Sequence, residues 1–140
     1  MNKYNVLIIP KSFLEEIVKR AKESRIEICG VLLGIADREG RVIVKKLWKA
    51  RNIKNSPVLF EIYPEDLYKA VVLGEKEGLD IVALYHSHPA PPVPSNRDIE
   101  GMKLWPVPWL IVSSIDGSYD CFVLELDKNV IKRVRVVVGD

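Results

Sequence analysis

The stretch Leu79-Asp80-Ile81-Val82-Ala83-Leu84-Tyr85 runs straight into His86-Ser87-His88-Pro89, and Ala90-Pro91-Pro92-Val93-Pro94-Ser95-Asn96-Arg97-Asp98 follows. The apolar run has the length and β-branched content of a buried strand. Side chains at i and i+2 of a strand share a face, so His86 and His88 are expected to emerge side by side. Two imidazoles on one rigid strand make half of a tetrahedral zinc site. Asp98 supplies a third ligand if the proline-rich loop turns back, which leaves a fourth position open for water, as in catalytic zinc sites. A simpler reading stands beside this one. A single histidine at a strand end is more often a surface or hydrogen-bonded residue than a ligand. Ser95 and Asp98 also have the spacing of a helix N-cap and its reciprocating acid. In that reading Asp98 is structural, and a carboxylate that caps is not expected to ligate as well.

At 140 residues the chain is expected to be a single domain over 1–140, large enough to bury a core without disulfide or metal staples. Hydrophobic residues make up 48% and charged residues 29%, the balance of a soluble globular protein. The net charge of +2 gives no reason to expect an anionic partner. The apolar stretch between Asn5 and Pro10 is too short for a signal-peptide core, and no segment approaches the ~20 apolar residues of a membrane span. A cytoplasmic location without membrane contact is the expectation. Cys29 and Cys121 both sit in apolar runs and read as buried free thiols.

Elements alternate along the chain without repeats. Asn5 to Ile9 reads as a strand. Ser12 with Glu15 reads as a capping box opening a helix whose apolar face is Phe13, Leu14, Ile17, Val18 and Ala21. Glu27 to Ile35 and Arg41 to Lys49 read as strands around a turn at Asp37-Arg38-Glu39-Gly40. A short extended piece, Val58 to Tyr63, leads to Pro64, which suits the first turn of a helix ending near Gly78. A short third helix starts at about Ser95, and Trp109–Ser114, Tyr119–Leu126 and Val130–Val138 close the chain as three strands. The pattern predicts an α/β or α+β fold, a mixed β-sheet flanked by helices.

Hydrolysis at a zinc site needs a base and an acid, and glutamate is the usual choice. Glu27 opens the apolar run Glu27-Ile28-Cys29-Gly30-Val31-Leu32-Leu33-Gly34, where partial desolvation would raise its pKa. From spacing alone, a carboxylate that merely caps a strand edge is the simpler interpretation. Cys29, two residues on, faces the same way and reads as a buried small residue or, less simply, a ligand.

Taken together, Glu27 in EICGVLLG, the pair in YHSHP, and Ser95 with Asp98 in PSNRD resemble the JAMM (MPN+) family of zinc metalloproteases, which act on ubiquitin and ubiquitin-like conjugates. Phe60 and Pro64 in FEIYP support the match, which extends from Glu27 to about Ser113. The resemblance implies a cytidine-deaminase-like MPN/JAMM architecture with one Zn2+ per chain, held by His86, His88 and Asp98. It implies Glu27 as general acid/base and Ser95 as the residue stabilising the oxyanion. Six residues separate His88 from Ser95, where the family usually has seven, and Pro91, Pro92 and Pro94 stiffen that loop. The shared Ser–Asp spacing implies that the site is retained.

The chain is little more than the family's core domain and resembles the compact archaeal or bacterial type. That implies small ubiquitin-like modifiers and their conjugates as partners, with isopeptidase activity. Trimming the C terminus of ubiquitin-like sulfur-carrier proteins is the alternative, and a non-catalytic scaffold a third reading. Homodimerisation is open, since family relatives pair. Arg41, Lys45, Lys46, Lys49, Arg51 and Lys54 form an acid-free basic stretch, but no recognition motif accompanies it and nucleic acid is not an expected partner. Trp105 and Trp109 read as core-edge packing, with a place in a substrate groove as the other option.

Overall fold

The computed structural model describes residues 4–140; residues 1–3 of the expected 1–140 domain lie outside the described residues. Eight strands form one mixed sheet in the order β7-β6-β5-β4-β2-β3-β1-β8. They are β1 (Val6–Pro10), β2 (Cys29–Ala36), β3 (Arg41–Ala50), β4 (Asp80–His88), β5 (Trp109–Ser113), β6 (Tyr119–Glu125), β7 (Val130–Arg133) and β8 (Arg135–Gly139). Three helices, α1 (Lys11–Glu23), α2 (Pro64–Glu77) and α3 (Asn96–Leu104), complete the described fold. The pairs β1–β3, β1–β8 and β4–β5 are parallel and the others antiparallel. This is the expected α+β class.

The expected last strand, Val130 to Val138, is instead two strands at opposite edges of the sheet, β7 on β6 and β8 on β1. Val134 is the joint: its N–H donates to Cys121 O at 2.8 Å and its side chain is buried. One short chain segment can serve both edges only if the sheet curls until those edges approach each other. Helix α1 fills the hollow, burying Leu14, Ile17 and Ala21 against Leu7, Ile9, Leu32, Val42, Leu110, Val112 and Val123. The period-3.6 apolar stripe of α1 is what makes it fit there.

The start of α1 differs from expectation. Its N-cap is Pro10, no side chain caps it, and Ser12 is already inside the helix, so the Ser12–Glu15 capping box does not form. Strand β1 stays paired to β8 as far as Pro10, which hands the chain directly from ladder to helix. Helix α2 follows its signals, with Pro64 in the first turn and Gly78 left-handed at φ +72°.

On the other face of the sheet, Val31, Leu33, Ala70, Leu84, Met102, Trp109, Ile111 and Phe122 form a second core under α2 and α3. Gly101 lets α3 close on the sheet, since a Cβ there would lie 2.7 Å from Trp109 Cη2. Strand β4, helix α3 and strand β5 make a parallel βαβ unit. In such units ligands bind at the carboxyl ends of the strands. The end of β4 is where the two histidines stand.

Candidate active site

His86 and His88 occur on one face of β4, their rings 5.5 Å apart and edge to face. Both are buried, and so are Glu27 and Asp98. Helix α3 brings Asp98 to them: His86 Nε2 lies 3.0 Å from Asp98 Oδ1, and His88 Nε2 lies 4.0 Å from Asp98 Oδ2. Ligand atoms of the three residues all fall within 4.8 Å of one another. Two bonds of about 2 Å meeting at a tetrahedral angle put ligand atoms about 3.3 Å apart, so this spacing suits zinc.

The imidazoles are short of partners. His86 Nδ1 and Nε2 and His88 Nδ1 are buried without a hydrogen bond; the 3.0 Å approach of Nε2 to Asp98 is close but not aligned as one. Unpartnered buried polar atoms are costly, and two such imidazoles beside a buried carboxylate fit a cation. His88 Nε2 lies 3.2 Å from Val93 O in the proline-rich loop. Phe60 stacks on His86 with centroids 4.4 Å apart, and Trp109 meets the same ring edge-on. These aromatics fix the ring's orientation, as outer contacts of metal-site histidines do.

Asp98 does take the structural role weighed for it, since it closes the capping box of α3, and it does so with one oxygen only. Ser95 Oγ accepts from Asp98 N–H at 3.1 Å, and Asp98 Oδ2 accepts from Ser95 N–H at 2.9 Å, so the capping box is complete. Oδ1 remains free to face His86. Burial raises the Asp98 pKa, but His86 and the Ser95 hydrogen bonds outweigh it and hold the carboxyl below its usual range. The cap fixes Asp98 at the helix start, with Oδ1 turned toward His86.

Glu27 sits just before β2 rather than within it. Ile28 N–H donates to Ser87 Oγ at 3.0 Å, which ties this segment to β4 between the two histidines. Cys29 pairs with His86 across β2 and β4, and continuing that register sets Glu27 opposite His88. Burial first, and then the Asp98 carboxylate, push the Glu27 pKa from 4.5 up to about 8, while Arg97 pulls it down. Cys29 is buried, with its thiol pushed up to about 12 by that burial, and it does not join the grouped ligand atoms.

A cavity of about 610 Å³ opens over the site. Glu27, His88, Asp98 and Ser95 line it, together with Val58–Ile62 and Pro89, Pro91, Val93 and Pro94 of the proline-rich loop. Trp105 and Trp109 also line it, and both take the core packing expected from sequence, Trp109 buried within the second core and Trp105 packed against it. Arg41, Lys46, Arg51 and Lys54 of the basic stretch each pair with an acid, at 2.6, 3.1, 3.0 and 3.6 Å, and Lys49 pairs with Glu16. Five of the six cations of the stretch are therefore paired with acids. Among the described residues, no helix is long and apolar enough to cross a membrane. Cys29 and Cys121 are free thiols.

Residues 10–125 match the family model of prokaryotic homologues of the JAB domain. The chain belongs to that family and is a JAMM-type hydrolase. It is 46% identical over 136 residues to a desampylase of Pyrococcus furiosus, covering 96% of this chain and 92% of that protein. It is 36% identical over 118 residues to a probable TtuB-protein conjugate cleaving protease of Thermus thermophilus, covering 80% and 72%. A solution structure of a Desulfitobacterium hafniense protein superposes with a TM-score of 0.82 at 25% identity, over 96% of this chain and 93% of that one. A Salinibacter ruber protein gives 0.68 at 30% identity, over 95% and 91%.

Proposed function

We propose that this chain is a zinc-dependent isopeptidase that releases small ubiquitin-like modifiers from protein conjugates. The observation that carries the reading is the convergence of His86, His88 and Asp98 within 4.8 Å, three of the four imidazole nitrogens lacking a hydrogen bond, beside buried Glu27. The two curated relatives, one a desampylase and one a probable conjugate cleaving protease, supply the substrate class.

His86, His88 and Asp98 would hold the zinc, which when bound would supply Lewis acidity at the end of β4. A dication beside Glu27 favours its ionised form, opposing the effect of burial. Glu27 takes a proton from the attacking water and returns it to the lysine amine that leaves. Ser95 Oγ already accepts from Asp98 N–H, so its own proton is free to be donated to the oxyanion. The apolar groove beside the site receives the modifier's extended tail, and Trp105 and Phe60 limit water there.

Removal of Glu27 tests this. Zinc-loaded wild type is expected to cut a lysine-linked ubiquitin-like conjugate, and Glu27→Ala to be about 10²–10⁴-fold slower with its zinc retained. Equal rates would remove Glu27 from the chemistry. A linear fusion to a sulfur-carrier protein, assayed alongside, separates isopeptide cleavage from C-terminal trimming: faster cutting of the fusion would favour trimming.

A further inference from the structure

The backbone of Glu27 is held from outside its own strand. Its N–H donates to Ser56 O at 2.9 Å, and its carbonyl accepts from Asn52 Nδ2 at 3.0 Å. Asn52 Nδ2 donates also to Leu59 O at 2.8 Å, while Asn52 Oδ1 accepts from Lys54 N–H and Glu61 N–H, each at 3.0 Å. One buried amide thus uses both donors and both acceptor positions, all on backbone. The loop it closes is the cavity wall: Val58, Leu59, Phe60 and Glu61 border the cavity, and Phe60 stacks on His86. A carbonyl or N–H left without its partner here loses more than a surface hydrogen bond would.

We infer that Asn52 is a positioning residue, which fixes Glu27 against the wall that receives the substrate tail. The inference rests on the proposed role of Glu27 as base. Asn52 touches neither substrate nor the grouped ligands; it acts through the Glu27 carbonyl and the Leu59–Glu61 backbone. Contact between a tail and this wall is therefore registered at the base through the Asn52 side chain, beside the backbone bond from Glu27 to Ser56 O, with Phe60 making a parallel link to His86.

Two substitutions divide the amide's work. Asn52→Asp loses both donors, so the Glu27 and Leu59 carbonyls are released together, while the acceptors for Lys54 and Glu61 are kept and still close the rest of the wall. Asn52→Ala releases all four backbone groups. In the metal-free protein, hydrogen exchange at the Glu27 amide is expected to quicken about tenfold or more in both variants, with β1 and β5 unchanged. In the zinc-loaded enzyme, Asn52→Asp is expected to lower kcat about tenfold, the weight of roughly one hydrogen bond, with KM within about threefold and zinc content unchanged. Asn52→Ala is expected to raise KM as well.

Unchanged exchange at Glu27, or unchanged kcat in Asn52→Asp, would overturn the assignment. So would faster exchange across the whole sheet with loss of zinc, because that marks Asn52 as merely structural. If Asn52→Ala does not fold, Asn52→Asp carries the test alone. If wild type turns over no conjugate, the isopeptidase reading fails, and the exchange measurement still decides whether Asn52 holds Glu27.

Discussion

The two faces of the sheet solve different problems. The hollow face, under α1, is apolar throughout: Leu14, Ile17 and Ala21 meet Leu7, Ile9, Leu32, Leu110 and Val112. The outer face begins as a similar core around Leu33, Leu84, Met102 and Ile111, but toward the end of β4 it gives way to Glu27, His86, His88 and Asp98, all buried. Apolar burial contributes stability roughly in proportion to area. Buried, unpartnered imidazole nitrogens oppose it. The hollow face therefore holds the fold, and the outer face spends part of that stability on a preformed site.

Changes on the two faces should separate. Ile17→Ala removes a fully buried side chain from the hollow face. It is expected to cost about 2–5 kcal/mol in denaturant unfolding while zinc stoichiometry stays the same. Loss of zinc binding in a variant still folded would show that the faces are not independent.

The next contrast is electrostatic. With the Glu27 pKa near 8 in the folded protein and near 4.5 unfolded, the folded state keeps a proton that the unfolded chain has released between those values. The metal-free protein should therefore lose stability as pH rises from about 4.5 to about 8, and level off above. Glu27→Gln abolishes that decline. Above about pH 8 it should be more stable than wild type by roughly 1–2 kcal/mol, a figure reduced because the carboxylate borders an open cavity. Parallel pH curves for the two proteins would show that Glu27 is not held protonated by burial.

The smallest stability change is expected where one residue belongs to both the fold and the site. Asp98→Asn keeps an oxygen for Ser95 N–H and so preserves the cap of α3, at a cost of under about 1 kcal/mol. Zinc affinity should nevertheless fall by more than about a hundredfold, beyond what loss of an outer partner causes. Unchanged affinity would leave Asp98 a capping residue only.

Much of this was legible in the chain, and the exceptions share a cause. Period two placed His86 and His88 together, and Ser95–Asp98 marked the start of α3. Those signals are local. The capping box expected at Ser12 fails because pairing of β1 with β8, more than a hundred residues away in sequence, carries the strand through Pro10. The break at Val134 arises likewise, since nothing in Val130–Val138 announces that its halves serve opposite edges. That Asp98 caps α3 with Oδ2 while Oδ1 faces His86 is visible only when its two oxygens are placed separately. Asn52 left no trace in the sequence because all of its partners are backbone groups, which any residue type provides.

The most direct measurement is the metal content of purified, zinc-supplemented protein by native mass spectrometry, for wild type and His88→Ala. One zinc per wild-type chain and none on His88→Ala is the expected result. Wild type without zinc, or both proteins with equal zinc, would contradict a metal centre at the end of β4.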